Sequence, residues 1–490
     1  MKINLFKVFS VVMFLALLSK GTGFIRETLV AARYGAGFIS DLYVFEDGLV
    51  NAIYTVFAGV ISTTFVPKYL SLNKERRNKY TSNFFNIILW ILIIVAIFLA
   101  IFAPILLRGL VPGFYSKYSS DYLYQVEMIT RINCISLLLL FVENFYICLL
   151  QANSYFIFSA IQGLVLNVSL IVYLFFFYDF GVWGITFTKI GVHIFNIALL
   201  LFFINYKRLY KYSFYLSYKD EYIKETFKLA MPVFIVNMVS QLNYIVDRAM
   251  ASSLDSGSMA ILGYANVLSS LLYSVIAVSL NNIAYTDMAE KQKDKAALEE
   301  MFRKYFRILI NILIPCCIVM VVQADQLCRV VYGRGGINEN NLKTMTLVLI
   351  IYIPSSYAIG LRDMYNRLLF IYKKTKVTSV INMTGLILNI VLNVCLSKIL
   401  GIYGLAIATT VVAIGTLLLT RFNTREYFKD KGLYSLSDLI KMILCIGSSI
   451  LISKFWETDS LLSRCIVIAI SGIIALIIYN FAYLREKVMG

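Results

Sequence analysis

Apolar windows of about 20 residues recur along the whole chain, each long enough to cross a hydrocarbon core of roughly 30 Å as a helix. Inside lipid, every backbone N–H and C=O must be satisfied within its own segment. A chain built this way therefore folds as a bundle of membrane-crossing helices. Fourteen spans are predicted, at 8–34, 39–66, 84–107, 126–150, 157–177, 183–204, 227–252, 258–283, 305–325, 344–370, 378–397, 402–422, 439–456 and 464–484. The first two are expected to be broken, and in the first the paired glycines Gly21 and Gly23 would let the backbone bend. With 60% hydrophobic residues in 490 and no loop beyond roughly 25 residues, no soluble domain is expected.

An even number of spans puts both termini on one side. Assigning the termini and the even-to-odd loops to the cytoplasm gives them about 28 Lys and Arg, against about 8 in the opposite loops. The basic runs 74–79, 207–208 and 373–376 all fall on that inner side. This asymmetry accounts for most of the net charge of +17. Scattered over short membrane-flanking loops, it does not form a nucleic-acid surface. The start of the chain looks like a signal peptide, but Lys20 to Glu27 stands where a small-residue cleavage site would be, so a retained helix is expected. The eight cysteines show neither metal-ligand spacing nor a disulfide framework.

The longest polar segments, 205–226, 285–304 and 423–438, divide the spans into blocks. An internal echo links two halves. Arg26-Glu27 precedes Gly35-Ala36-Gly37, Asp41 and Tyr43, while Asp247-Arg248 precedes Ser256-Gly257-Ser258 and Tyr264. Repeated six-helix halves are a common transporter plan. The expected organisation is an N-terminal lobe at 1–204, a cytoplasmic linker at 205–226, a C-terminal lobe at 227–422 and a last helix pair within 423–490.

Charged residues inside spans are costly, at roughly 2.5–3.5 kcal/mol each at a helix centre unless they face protein or water. Helix 1 carries Lys20, Arg26, Glu27 and Arg33; helix 2 carries Asp41, Glu46 and Asp47; helix 6 carries Lys189 and His193. Asp247 and Arg248 lie on helix 7, and Arg362, Asp363 and Arg367 on helix 10. Adjacent opposite charges suggest structural pairing, and His193 suggests a packed helix residue. Lys20 and Arg26, about 120° apart on a regular helix, would need a bend at Gly21 or Gly23 to face one cavity. A diphosphate is the anion such a pair suits, the Arg fork reading it bidentately and the Lys adding a mobile point charge. Asn389 and Asn393 share a face of helix 11. With Asp247 and Thr409 they offer either interhelical hydrogen bonds or an oxygen-lined cation site.

The runs Ser19-Lys20-Gly21-Thr22-Gly23-Phe24-Ile25-Arg26-Glu27, Tyr34-Gly35-Ala36-Gly37 with Ser40-Asp41, and Thr63-Thr64-Phe65-Val66-Pro67 resemble the amino-terminal signature of the MurJ/MviN family. That family sits in the multidrug/oligosaccharidyl-lipid/polysaccharide exporter superfamily. The resemblance continues through Pro112-Gly113-Phe114, Val246 to Ser252, Tyr264-Ala265-Asn266, Tyr332 to Gly335, Gly360 to Asp363 and Gly404-Leu405-Ala406, in order along nearly the whole chain. It implies a flippase of fourteen helices, two six-helix lobes around a central cationic cavity and a groove on helices 13 and 14 for a polyprenyl tail. It assigns Lys20 and Arg26 to the cavity and Asp41 to the start of helix 2. It also assigns Asp247, Asn389 and Thr409 to a sodium site, with Asn393 where an acid is usual. The chain departs from the pattern at Tyr54 and Val267, where the family often has arginine, and at 284–287, which lacks the usual proline turn.

The expectation is an all-α polytopic membrane protein and transporter, not an enzyme, since no external loop is large enough for a catalytic site. It would sit as a monomer in a bacterial cytoplasmic membrane among membrane lipids, with no nucleic-acid partner. Its expected cargo is an undecaprenyl-diphosphate-linked glycan, with lipid II as the best single choice. The substrate-binding set is Lys20, Arg26, Glu27, Asp41, Arg248 and Arg362; the sodium set is Asp247, Asn389, Asn393 and Thr409. Alternatives are a flippase for another lipid-linked polysaccharide and a cation-coupled drug or metabolite exporter. The latter would want an acid-dominated cavity, whereas helix 1 is basic.

Overall fold

The computed structural model describes residues 5–426, 436–455 and 460–489. Among them there is no strand. The long helices are α1 (Leu5–Tyr34), α2 (Phe38–Ser71), α3 (Lys74–Leu110), α4 (Ser120–Ala152), α5 (Ile157–Phe176), α6 (Tyr178–Tyr206) and α7 (Glu221–Ser252). They continue with α8 (Ser258–Glu290), α9 (Lys295–Val322), α10 (Glu339–Ile371), α11 (Thr375–Leu400), α12 (Ile402–Thr424), α13 (Leu436–Phe455) and α14 (Leu461–Met489). Every expected span falls on one of them. Among the described residues, twelve are long and apolar enough to cross a membrane by length and composition. The other two, α1 and α13, are long helices as well, and a count of fourteen stands as approximate. Part of the expected polar segment 423–438 lies outside the described residues.

The apolar surface is turned outward, as lipid solvation requires. On α3, Ile94, Ile97, Phe98, Ile101 and Ile105 follow i, i+3, i+4, i+7 spacing and are each at least half exposed. The opposite face is buried.

Two compact units are formed, Met1–Met259 and Ala260–Gly490. In the first, Phe65 packs on Phe84 and Phe145 with ring centroids 5.1 and 5.0 Å apart, joining α2, α3 and α4. In the second, Phe302 and Phe306 of α9 meet Tyr365 of α10 at 5.4 and 5.2 Å.

The expected break in α1 is not formed: the helix runs unbroken through Gly21 and Gly23. Helix-helix packing uses one of these glycines instead. A Cβ on Gly23 would lie 3.2 Å from the Asn167 side chain of α5. The interruption in α2 is a π-helical turn at Ile61–Phe65.

The two six-helix series share backbone devices. A π turn also interrupts α8, at Leu272–Ala277. A short helix follows α3 (Pro112–Lys117), and another follows α9 (Ala324–Tyr332). Gly181, after the first turn of α6, has φ 56 and ψ −139, and Gly401, just before α12, has φ 58 and ψ −131. Both α4 and α10 end with a left-handed residue, Ser154 and Lys373. Each closes the same C-cap, with Tyr155 N–H donating to Leu150 O at 2.9 Å and Lys374 N–H donating to Leu369 O at 2.8 Å.

Candidate functional site

The first unit gathers a layer of charge from four helices. Helical spacing supplies each row: Ser19, Gly23 and Glu27 on α1; Tyr43, Asp47 and Asn51 on α2; Lys189 and His193 on α6; Tyr244 and Arg248 on α7. Each row repeats every four residues, so its members project from one face.

Arg26, next to Glu27 on α1, is half-buried. Its Nη2 donates to Glu27 Oε1 at 2.5 Å and its Nη1 to Asn167 Oδ1 at 3.0 Å. Asn167 in turn donates to Ser19 O at 2.9 Å, which holds the amide oxygen toward the guanidinium. Tyr43 donates its hydroxyl to the same Glu27 oxygen at 3.0 Å. One guanidinium nitrogen, Arg26 Nε, is buried with no hydrogen-bond partner. A second pair lies beside the first: Lys189 Nζ sits 2.5 Å from Asp47 Oδ1 and 5.1 Å above the Tyr43 ring. Asn51 donates to the other Asp47 oxygen at 3.1 Å. Arg248 lies over the Tyr244 ring at 4.7 Å and donates to its hydroxyl at 3.0 Å.

Buried carboxylates brace these helices. Glu46 accepts from Thr130 at 2.5 Å and Asn133 at 2.9 Å, tying α2 to α4. Glu143 accepts from Asn196 at 2.7 Å and stands 2.5 Å from His193 Nδ1, tying α4 to α6. His193 is thus a packed helix residue with a specific partner. Asp41 accepts from Gly257 N–H at 2.6 Å, so it ties the start of α2 to the turn after α7.

Among the expected substrate-binding residues, the structure brings Arg26 and Glu27 together in this layer, and Arg248 contributes from α7. Lys20 is exposed on α1, without the bend that would turn it beside Arg26. Asp41 sits at the helix end rather than in the layer. Arg362 belongs to the second unit: it lies 3.8 Å from Asp363 and donates to Thr416 at 3.3 Å, with a buried Nε lacking a partner. Of the expected sodium ligands, Asp247 is half-buried on α7, and Asn389 and Asn393 are buried on α11. Asn393 Nδ2 donates to Asn389 Oδ1 at 2.8 Å, which uses the amide oxygen a cation would take. Thr409 donates to Leu405 O at 3.1 Å on its own helix.

The residues that sequence reasoning left out of the site are Asp47, Lys189, Tyr43, Asn167 and Tyr244. Asp47 and Lys189 were visible as charges within spans, but nothing in the sequence paired them. The arrangement places three cations among the helices of the first unit, Arg26 and Lys189 each against a carboxylate and Arg248 against an aromatic face.

The family model described as "Lipid II flippase MurJ" matches residues 30–471. A probable lipid II flippase MurJ of Rickettsia prowazekii is 22% identical over 492 residues, covering 98% of this chain and 96% of that one. One from Helicobacter pylori is 24% identical, covering 80% and 89%. Among solved structures, a lipid II flippase MurJ in an inward closed conformation has a TM-score of 0.81 at 22% identity, covering 98% of this chain and 99% of that one. An inward-facing multidrug-resistance transporter of the same superfamily has a TM-score of 0.69 at 12% identity. These likenesses carry the fold, and the match over most of the chain carries the family. This chain is a multi-pass membrane protein and belongs to the lipid II flippase MurJ family, a family of transporters rather than enzymes.

Proposed function

We propose that this protein moves an undecaprenyl-diphosphate-linked glycan, lipid II, from the inner to the outer leaflet of a bacterial cytoplasmic membrane by alternating access. The observation that carries the reading is the Arg26–Glu27 pair with Asn167, beside Lys189–Asp47, in the membrane-spanning part of the first unit. A diphosphate presents about two negative charges that cannot enter hydrocarbon bare. Arg26 would take one phosphate through its planar fork while Glu27 passes to Tyr43, which already donates to it. Lys189 and Arg248 would neutralise the rest, released from Asp47 and the Tyr244 ring. The polyprenyl tail would stay in lipid along helices 13 and 14. The protein would act as a monomer, with both termini cytoplasmic.

Turnover would draw on the membrane potential, worth about 2.3 kcal/mol per charge per 100 mV, or on a sodium gradient. Within the second unit, Asn389, Asn393 and Thr409 supply hard oxygen donors of the kind sodium prefers. Binding there would first require Asn389 to release the Asn393 amide. Asn389→Ala, which removes that oxygen, should therefore abolish any sodium dependence of transport and leave the dependence on potential.

One observation favours a second cargo of the same chemistry, another diphosphate-linked polysaccharide unit. At Tyr54 the chain has an aromatic ring packed against the apolar core where the family often has arginine. The test is complementation of a strain depleted of its lipid II flippase. Wild type should restore growth and Arg26→Ala should not, with equal amounts of both in the membrane. Full rescue by Arg26→Ala would overturn the role given to that side chain. Failure of wild type, with the protein inserted, would move the cargo to another glycan.

A further inference from the structure

Between α6 and α7 the chain crosses the end of the first unit as an extended strap, 207–219. It is held by polar side chains of α3 that are themselves fully buried. Asn83 donates to Ser217 O at 2.9 Å and accepts from Ser217 N–H at 2.8 Å. Asn86 donates to Tyr215 O at 3.0 Å, and Ser82 accepts from Ser213 N–H at 3.2 Å. Alternate residues thus face α3, as an extended backbone requires. The intervening side chains Phe214, Leu216 and Tyr218 face away and are 72%, 50% and 76% exposed, while Tyr212 donates its hydroxyl to Asn86 Oδ1 at 3.0 Å. Lys207, Arg208, Lys211 and Lys219 are exposed on the same strap, and Lys79 of α3 covers the Tyr215 ring at 4.4 Å.

The depth of this strap is set by its anchors. Ser82, Asn83 and Asn86 stand where the apolar stretch of α3 begins, so the outward aromatic row lies at the boundary between hydrocarbon and headgroups. Rings with polar tips favour that level, and basic side chains beside them reach phosphate. In water, an alternating row of such exposed rings would be a liability.

We propose that the strap 207–219 is a binding surface for anionic phospholipid, its rings in the interface and its four cations on the headgroup phosphates. Nothing in this assignment depends on the cargo of the transporter. The test uses the full-length protein in detergent, titrated with phosphatidylglycerol or phosphatidylcholine, with bound lipids counted by native mass spectrometry. Wild type should retain phosphatidylglycerol preferentially. Exchanging Lys207, Arg208, Lys211 and Lys219 together for Gln should cut that preference about tenfold or more. The pair Phe214→Ser and Tyr218→Ser should weaken retention of both lipids. All these side chains are exposed, so the fold is not at stake, and thermal unfolding checks this. An unchanged preference in the four-Gln variant would overturn the proposal. So would an equal loss on exchanging Lys373, Lys374 and Lys376 for Gln, or displacement of the lipid by millimolar inorganic phosphate. A strap that instead holds a soluble protein would leave lipid retention intact in every variant, which also refutes it.

Discussion

Asp47 shows how the charged layer is balanced at the scale of single residues. It touches Lys189 and lies within electrostatic reach of Arg26 and Arg248, so one carboxylate serves cations from three other helices. Removing Lys189 would leave Asp47 with Asn51 as its remaining hydrogen-bond donor among the contacts described. Lys189→Met should lower stability by about 1–3 kcal/mol, below the usual range for a fully buried pair because Asp47 is one-third exposed. Asp47→Asn combined with Lys189→Met should cost less than the two singly, because no bare charge remains. Thermal unfolding of the purified variants in detergent measures this; additive losses would mean the pair is not coupled. Part of the site was legible from the chain, because Arg26-Glu27 sits in an ordered motif near its start, although Lys20 and Asp41 of the same motif lie outside the layer. The Lys189–Asp47 contact was not. Its partners are 142 residues apart, and their meeting depends on the rotation of two helices, which apolar periodicity constrains only loosely. Asn167, a lone amide in an apolar helix, gave no signal of the guanidinium it orients.

At the scale of elements, the helices were readable because length and hydropathy dictate them, while their fine structure was not. Gly23 suggested a bend and proves to be a packing surface, since a missing side chain serves either purpose equally in sequence. Gly48 makes the same point more sharply: a Cβ there would sit 2.4 Å from the Tyr244 ring and hydroxyl of α7. Gly48→Ala should therefore force α2 and α7 apart and displace the ring under Arg248. The expected cost is about 1–3 kcal/mol, typical of overpacking. Combining it with Tyr244→Leu should recover most of the lost unfolding temperature but not transport, because the Arg248 contact goes with the ring. A Gly48→Ala protein as stable as wild type would show that the two helices tolerate a wider spacing. The strap was missed for another reason. Its outward rings were read only as part of a polar linker, because its alternation became meaningful once α3 was seen to hold the other face.

For the whole molecule, the two six-helix series repeat more in backbone than in sequence. Paired π turns, paired glycines at the starts of α6 and α12, and matching caps on α4 and α10 recur where few side chains do. The left-handed caps without glycine, Ser154, Arg208 and Lys373, close α4, α6 and α10, all even-numbered helices. The odd-to-even turns use Gly35, Gly181, Gly257, Gly335 and Gly401 in that conformation. Two of the three even-helix caps are basic, so the turns that carry the positive charge are also those built without glycine. This supports assigning them to the cytoplasm, where the membrane potential and anionic lipid hold Lys and Arg. The prediction is made with single cysteines in a cysteine-free background, on intact cells. Cysteines at Ser154, Arg208 and Lys373 should resist a membrane-impermeant maleimide until the cells are opened. Cysteines at Tyr118 and Arg334, in the opposite loops, should react at once. Each probe site is exposed or half-buried at a turn, so access rather than folding decides the labelling. The reverse pattern would invert the protein in its membrane. It would also reverse the direction proposed for transport, since the face open to cytoplasmic cargo would become the face that releases it.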